Sequence, residues 1–439
     1  MSLLTGSPTL EKLQALIAAY ADDPKGVDFS NEFPLTNFPG IFPSGYQRGV
    51  VQKYGGTSVV SARQDVAIVD YAVATRAKIP QDGFLVVVVS GQGKIDDTRR
   101  KATEHMYDMI KGIKPREAWE LVKGNYFKKL NDHGVKFPHI LLYDEIASVE
   151  DRFQDGQIPE NAYGNILRFP EMAQARIIYE LGTQRYPGMS WKLLDFPTGL
   201  IGKSKSGEVT DQPIDFESSY RIMRQLNRED ALAGKILIVP GFTGGAHIDN
   251  IVKTVTFERG SSDAMATTWG AALGVDEVMI FSDTNGMYPM DPRLVPGLET
   301  LKEISNSECA VFTDLGAAVM QHVALHPVTE HNIPTYIRNS AHPNDHGTKI
   351  WNCEPSTEHY GVRAVGIANV DDQVRIALVG EGMELVDLDQ KIFLRENLDR
   401  VGVVSEDFAD EDSITCSVLI SSEQKKLALE TIADSFEFR

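Results

Sequence analysis

At 439 residues the chain has room for about two or three domains of ordinary size. Its formal net charge of −19 repels polyphosphate backbones, which argues against nucleic acid as a partner and requires a local basic site for any anionic substrate. No apolar run approaches the roughly 18 residues of a membrane span, and Cys309, Cys353 and Cys416 stand far apart outside any CxxC spacing, so neither a disulfide framework nor a thiolate zinc site is encoded.

Met1 to Tyr20 begins without a basic segment and reads as an amphipathic helix around Leu10, Leu13 and Leu16-Ile17, not as a signal peptide, which points to a cytoplasmic location. Residues 21–48 are rich in Pro, Gly, Asn and Phe and read as an ordered arm or linker; Phe29, Phe33, Phe38 and Phe42 are available to pack on a surface. From Gly49 the pattern changes. Val50-Val51, a helical stretch from Val59 to Lys78, and Leu85 to Val89 follow one another, and the run of valines suits a strand buried on both faces. That is the rhythm of a parallel α/β sheet. It returns at Lys235–Val239, at Thr267–Leu273 followed by Glu277–Phe281, and at Gly316–Leu325 followed by Thr335–Arg338. The interval 100–190 is more polar and predicts helices at Arg99–Lys111, Pro115–Leu130 and Glu171–Leu181, the last opened by Pro170. One α/β domain over 49–348 accounts for this order.

Beyond Gly347-Thr348, strand Val374–Val379, helix Leu388–Leu398, strand Val401–Ser405, strand Ile414–Ile420 and helix Glu423–Ala433 make a βαββα run, nearly a ferredoxin-like βαββαβ unit, over 361–439.

A phosphate site needs backbone amides that can approach oxygens closely, and a cation beside them. Lys53-Tyr54-Gly55-Gly56-Thr57-Ser58, at the end of a predicted strand, offers both, although alone it also fits an ordinary strand-to-helix turn. The rest of the chain adds to it. Lys53 to Val59 resembles the opening motif of aspartate kinases. Phe257-Glu258-Arg259-Gly260-Ser261-Ser262-Asp263 resembles their second motif, which usually has two glycines after the arginine, and Phe281-Ser282-Asp283-Thr284-Asn285-Gly286-Met287-Tyr288 through Arg293 is similar to their nucleotide loop. Shorter matches at Val86–Ser90, Phe169-Pro170-Glu171, Pro240–Gly244 and Arg338-Asn339 extend the resemblance over about 50–350.

The resemblance implies the amino-acid kinase fold, a mainly parallel sheet sandwiched between helices, and ATP-dependent phosphorylation of the side-chain carboxylate of L-aspartate to 4-phospho-L-aspartate. It implies that Lys53 sits against the transferring phosphoryl group with Gly55, Gly56 and Ser58 around the phosphates, and that Asp263 orients Lys53. Arg259 would clamp the acceptor's α-carboxylate bidentately, Glu171 would pair with its α-ammonium, and Ser90 and Ser262 would complete the acceptor site. Ser282, Asp283, Tyr288 and Arg293 fall where the family holds ATP. Mg²⁺ would bridge the nucleotide phosphates and keep several waters, with no dedicated protein ligand set. Gly380-Glu381-Gly382-Met383 resembles the first loop of an ACT domain, which implies a small α+β tail and a homodimer formed through it; the lack of a long apolar run argues against a membrane partner.

Asp96 stands about where the family has a substrate-contacting threonine; a carboxylate there would repel an acidic acceptor unless Lys94 compensates. Pro170 replaces a glycine beside Glu171, and Ala318 replaces a lysine expected near the phosphates. These departures keep open a paralogue acting on another carboxylate-bearing amino acid, and an amino-acid-sensing pseudokinase. Two other patterns are set aside. Pro197 to Ser204 ends like a P-loop but lacks its first glycine, and His322, His326 and His331 lack the glutamate of a zinc helix and are interrupted by Pro327.

Overall fold

The structure, a computed structural model, describes residues 49–133, 140–153, 158–194, 199–203, 208–230, 232–248, 251–258, 260–317, 320–352, 361–381, 383–408 and 414–439. The helix and arm expected over 1–48 lie outside them. The chain divides into two compact units, one ending at Asp283 and one beginning at Thr284.

The first unit contains, in chain order, β1 (Gly49–Tyr54), α1 (Ala62–Arg76), β2 (Phe84–Val89), α2 (Ala102–Ile110), α3 (Pro115–Asp132), α4 (Ile140–Glu150), α5 (Tyr163–Leu167), α6 (Phe169–Arg185), β3 (Trp191–Leu193), β4 (Ile201–Gly202), β5 (Ile214–Asp215), α7 (Phe216–Asp230), β6 (Ile236–Pro240), β7 (Thr243–Ile248), β8 (Ile251–Thr256), α8 (Ser261–Leu273) and β9 (Glu277–Ser282). Strands β9, β1, β2, β6 and β3 pair in that order, all parallel. A second, smaller sheet takes the order β5-β4-β7-β8.

The valines of β2 explain why both faces of the large sheet are covered. Leu85, Val87 and Val89 join one core cluster with residues of α1, α3 and α6, and the intervening Val86 and Val88 are equally buried outside that cluster. The period of two continues in β1, where Val50 and Tyr54 face the first cluster. Val51 points the other way, towards Gly270 of α8. Lys53 shares the parity of Val51, so the strand itself aims the lysine at α8.

Helix α1 is started by a capping box: Ser61 accepts from Gln64 N–H, and the Gln64 side chain accepts from Ser61 N–H. Helix α6 begins at Phe169, which puts Pro170 at the second helical position instead of the first.

The second unit holds β10 (Glu303–Ser305), α9 (Asn306–Asp314), α10 (His322–Glu330), β11 (Thr335–Asn339), β12 (Thr348–Trp351), β13 (Ala364–Val370), β14 (Gln373–Val379), α11 (Met383–Arg400), β15 (Ser405–Phe408), β16 (Thr415–Ser421) and α12 (Lys425–Ser435). The tail sheet runs β13-β14-β16-β15, antiparallel throughout. Strand β13 lies beside β14, at the edge that the last strand of a βαββαβ unit would take; the sequence does not announce it, because Gly366 and Asn369 weaken its pattern. Gly366 is needed there, since a Cβ would lie 2.4 Å from the Leu315 side chain. The strand expected over Val401–Ser405 begins at Ser405 instead. Gly402, at φ +79°, closes α11 with its N–H on the Asp399 carbonyl, which places Val401 in the turn. The helix expected from Gly316 begins only at His322. Among the described residues no helix is long and apolar enough to cross a membrane.

A buried polar cluster sits behind the β1 turn. Lys129 of α3 donates to the Val59 carbonyl at 2.6 Å and to Gln174 Oε1 at 2.7 Å, and pairs with Asp65 Oδ1 at 3.0 Å; His133 Nε2 lies 2.9 Å from Asp65 Oδ2. Burial pulls the Lys129 ammonium below its usual range, opposed by Asp65. Removing one partner of a buried pair strands the other charge. Lys129→Met is therefore expected to cost about 3 kcal/mol, read as a shift of the urea midpoint, and Lys129→Met with Asp65→Asn to cost less than the single change; a single-variant loss below about 1 kcal/mol would contradict this role for the cluster.

Candidate functional site

Parallel strands deliver their carboxyl ends to one edge of the sheet, and in open α/β sheets ligands bind outside those ends. Backbone bonds continue the ladder into the loops there: Ser90 N–H to the Tyr54 carbonyl at 3.0 Å, Gly241 N–H to Val89 at 2.9 Å, and Gly55 N–H to Phe281 at 3.2 Å. Ser90, Gly55, Gly241 and Ser282 are thus set side by side.

Lys53 Nζ lies 2.6 Å from Asp263 Oδ1, with side-chain exposures of 11% and 12%. Asp263 is in the first turn of α8, which Gly260 opens in the left-handed conformation at φ +86°. Such a pair, nearly out of water, holds the ammonium in one place far better than a surface pair would.

Gly56 begins a one-turn 3₁₀ helix, Gly56–Ser58. A Cβ on Gly56 would come within 2.9 Å of the Gly91 carbonyl, and Gly93 N–H donates to the Gly56 carbonyl at 3.0 Å. The loop after β2 therefore lies directly against the turn after β1. Gln92 fastens it, donating from Nε2 to the Val60 carbonyl at 2.9 Å and, from its N–H, to Tyr126 Oη at 3.1 Å. Ser58 is buried and its hydroxyl has no partner.

Glu171, in the first turn of α6, is 3% exposed. Its Oε1 accepts from Gly91 N–H at 3.1 Å and from Thr103 Oγ1 at 3.3 Å, whereas Oε2 is buried without a partner. Burial pushes its carboxyl up to about 7, against the pull of the Gly91 amide, its own backbone amide, Thr103 and Lys101. A half-satisfied buried carboxyl that ionises near neutrality is ready to receive a cation. Pro170 fits as closely as glycine would, because the crowding falls on the partner: a Cβ on Gly91 would lie 2.6 Å from Pro170 Cβ. Ser262 meets Gly241, where a Cβ would lie 2.5 Å from Ser262 Oγ.

Asp283 follows β9 and pairs with Lys94 Nζ at 3.1 Å, and these partner contacts hold its carboxyl below the usual range despite partial burial. Lys53, Gly55, Gly56, Ser58, Ser90, Glu171, Ser262, Asp263, Ser282 and Asp283 all belong to the first unit. Tyr288 and Arg293 belong to the second, where Tyr288 packs against the tail core and Arg293 is exposed, its guanidinium on Asp291 with Nη2 to Oδ2 at 2.7 Å. Arg259 and Ala318 lie outside the described residues.

The concern raised by Asp96 changes once its partners are seen. Its carboxylate is used within its own loop, accepting from Arg100 N–H at 2.9 Å and Thr98 Oγ1 at 2.8 Å, with His105 Nε2 at 2.8 Å. The Arg100 amide above all holds it below the usual carboxylate range. Sequence reasoning missed Thr103, which reaches Glu171 from a helix with no motif; the cue available was only its place one turn from the loop after β2. Of the two patterns set aside, Ile201–Gly202 form β4, and His326 and His331 both approach Glu330, at 3.6 and 3.8 Å. No group of three His, Cys, Asp or Glu side chains among the described residues is arranged to hold a metal ion.

The pattern of the amino acid kinase family matches residues 201–339. The aspartokinase of Geobacillus stearothermophilus is 27% identical over 331 residues, 75% of this chain and 65% of that protein. The bifunctional aspartokinase/homoserine dehydrogenase of Haemophilus influenzae is 29% identical over 221 residues, 49% of this chain and 26% of that protein. The chain thus spans between about a quarter and two-thirds of the length of these relatives. In fold it is similar to E. coli aspartokinase III, solved with aspartate and ADP, at a TM-score of 0.70 and 16% identity over 88% of this chain and 99% of that one. The aspartate kinase of Clostridium acetobutylicum gives a TM-score of 0.69 at 17% identity, over 88% of this chain and 100% of that one. The chain is thus similar to the amino acid kinase family over residues 201–339 and to aspartokinases over about half to three quarters of its length, and it shares the fold of the solved aspartokinases.

Proposed function

We propose that the chain transfers the γ-phosphoryl group of ATP to the side-chain carboxylate of L-aspartate, giving 4-phospho-L-aspartate and ADP. The observation that carries this reading is the Lys53–Asp263 pair beside the Gly55-Gly56 turn, with Glu171 bonded to the Gly91 amide of the neighbouring loop. One oxygen of the acceptor carboxylate forms a bond to the γ-phosphorus. The bond from that phosphorus to the oxygen bridging the β-phosphate breaks, and its electron pair leaves with ADP. No proton has to move, because the carboxylate is already ionised at neutral pH.

Catalysis then rests on position and charge. Lys53 would face the transferring group, fixed by Asp263; the amides of Gly55 and Gly56 and the unpartnered hydroxyl of Ser58 would face the phosphates; Asp283 and Ser282 would meet the nucleotide, with Tyr288 and Arg293 assigned to it by motif. Glu171 would take the α-ammonium, with Ser90, Ser262 and Arg259 completing the acceptor site. A magnesium ion brought by the nucleotide would supply neutralisation of phosphate charge and would call for few protein ligands. With Asp96 bonded inside its loop, the main motive for a different acceptor weakens. The kinase region would extend over 49–348 and an ACT-like region over 361–439, the latter joining two copies into a dimer in the cytoplasm.

Incubation with ATP, magnesium and a panel of amino acids, with hydroxylamine to trap acyl phosphate, should give hydroxamate with aspartate foremost. Product only with another acid would replace the acceptor, and ATP binding without any product would favour a pseudokinase. Lys53→Ala is expected to lower kcat by about a thousandfold while the thermal unfolding profile persists; an unchanged rate would remove Lys53 from the mechanism.

Glu171 makes a pH prediction. Its folded-state carboxyl is raised to about 7, so the free protein carries it neutral below that pH and ionised above it. Since an ammonium needs the ionised form, kcat/KM for aspartate should rise about tenfold from pH 6 to 8, and Glu171→Gln should flatten the profile. Because the raised pKa opposes folding once the unfolded carboxyl ionises, the Gln variant without ligands should be the more stable by roughly 3 kcal/mol above pH 7, the gap closing as pH falls towards the usual glutamate range. A parent profile flat across this window would contradict the role of Glu171.

A further inference from the structure

We propose that Lys94 is a second phosphate-binding cation of the transfer site, parked on Asp283 in the free protein and taken over by the β- and γ-phosphates of the nucleotide. The inference rests on the kinase reading above.

Position comes first. Lys94 directly follows Gly93, whose N–H is bonded to the carbonyl of Gly56, so the lysine leaves the chain beside the glycine turn itself. The segment is also held in place. Ile95 N–H donates to the Arg100 carbonyl at 2.9 Å, the Ile95 carbonyl accepts from Asn125 Nδ2 at 3.2 Å, and Gln92 is tied to Val60 and Tyr126. The reach of Lys94 is therefore set by the fold.

The backbone supplies a second observation. Lys94 has φ +57°, in the left-handed region where a Cβ crowds the following carbonyl and where glycine is the usual residue. Glycine stands on its N-terminal side and would fit equally well here. In return the lysine makes an ion pair with side-chain exposures of 33% and 55%, which water and salt screen and which does not by itself offset a strained backbone. A strained residue at a functional loop, with no matching rise in stability, points to a task performed with ligand bound.

The charge balance identifies the task. Lys53 already has its counter-charge in Asp263, so a triphosphate arriving at the turn needs further positive charge. Lys94 is a long, partly exposed side chain on a fixed root, paired to a carboxylate that has another partner in the Thr57 side chain. Exchange of one anionic partner for another costs little, whereas neutralising the transferring group is the work of such a site.

Lys94→Gly tests this without a folding penalty, because it removes the cation and relieves the backbone together. Titration with fluorescent derivatives of ATP, ADP and AMP is expected to show ATP and ADP weakened at least tenfold and AMP unchanged, with KM for aspartate unmoved and the melting temperature equal to or above that of the parent. Lys94→Arg should restore most of the affinity. ATP binding by Lys94→Gly equal to the parent, or equal weakening of ATP and AMP, would overturn the proposal while leaving the kinase reading intact. A parent that binds no ATP would overturn both.

Discussion

The proposed chemistry of this molecule depends on one buried ion pair, Lys53 with Asp263 at 2.6 Å. Its geometry is a consequence of strand parity. Alternation along β1 sends Val50 and Tyr54 into the cluster shared with α1 and α6, and sends Val51 and Lys53 towards α8. A slip of one residue in the pairing of β1 would turn the lysine into the apolar side and leave Asp263 facing a tyrosine. Pairing with strands on both sides, β2 and β9, guards against that slip. The hydrophobic core of the sheet is in this sense what aims the charge.

Around that pair the loops at the carboxyl ends of the strands are packed at glycines. Gly56, Gly91, Gly93 and Gly241 each lie where a Cβ would meet a neighbouring loop or the start of a helix within about 3 Å. Close packing of this kind sets the spacing between the glycine turn after β1 and Glu171, which the Gly91 amide holds directly. It also accounts for the raised carboxyl of Glu171: three donors surround one oxygen region of a group otherwise removed from water, and burial outweighs them. The candidate site combines one satisfied charge, on Lys53, with one unsatisfied group, on Glu171, which suits the zwitterionic acceptor proposed for it.

Much of this is legible in the sequence alone. The valines of β2 announce a strand covered on both faces, and Lys53, Gly55 and Gly56 stand together in the chain because a single turn needs them together. The contribution of Asp96 is not legible, because its partners Arg100, Thr98 and His105 are set by how the loop folds back, and a carboxylate in a motif position looks alike whether it is free or bonded. Thr103 escapes for the same reason. Strand β13 escapes because Gly366 and Asn369 are poor strand formers locally, whereas the tail sheet needs a partner at that edge and Leu315 needs the space. Local propensity yields to tertiary packing. The left-handed backbone of Lys94 carries no sequence signal at all, since lysine is not a residue expected there.

The central claim concerns which bond is made, and an oxygen label reads it directly. Aspartate labelled with ¹⁸O in its side-chain carboxylate is incubated with the protein, ATP and magnesium, and hydroxylamine then releases the phosphoryl group by attack at the acyl carbon. The account predicts that the released inorganic phosphate carries one ¹⁸O from the acceptor, visible as an isotope shift in the ³¹P spectrum. Unlabelled phosphate, formed at the same rate with or without aspartate, would mean that water and not the carboxylate attacks the nucleotide, and would contradict the account.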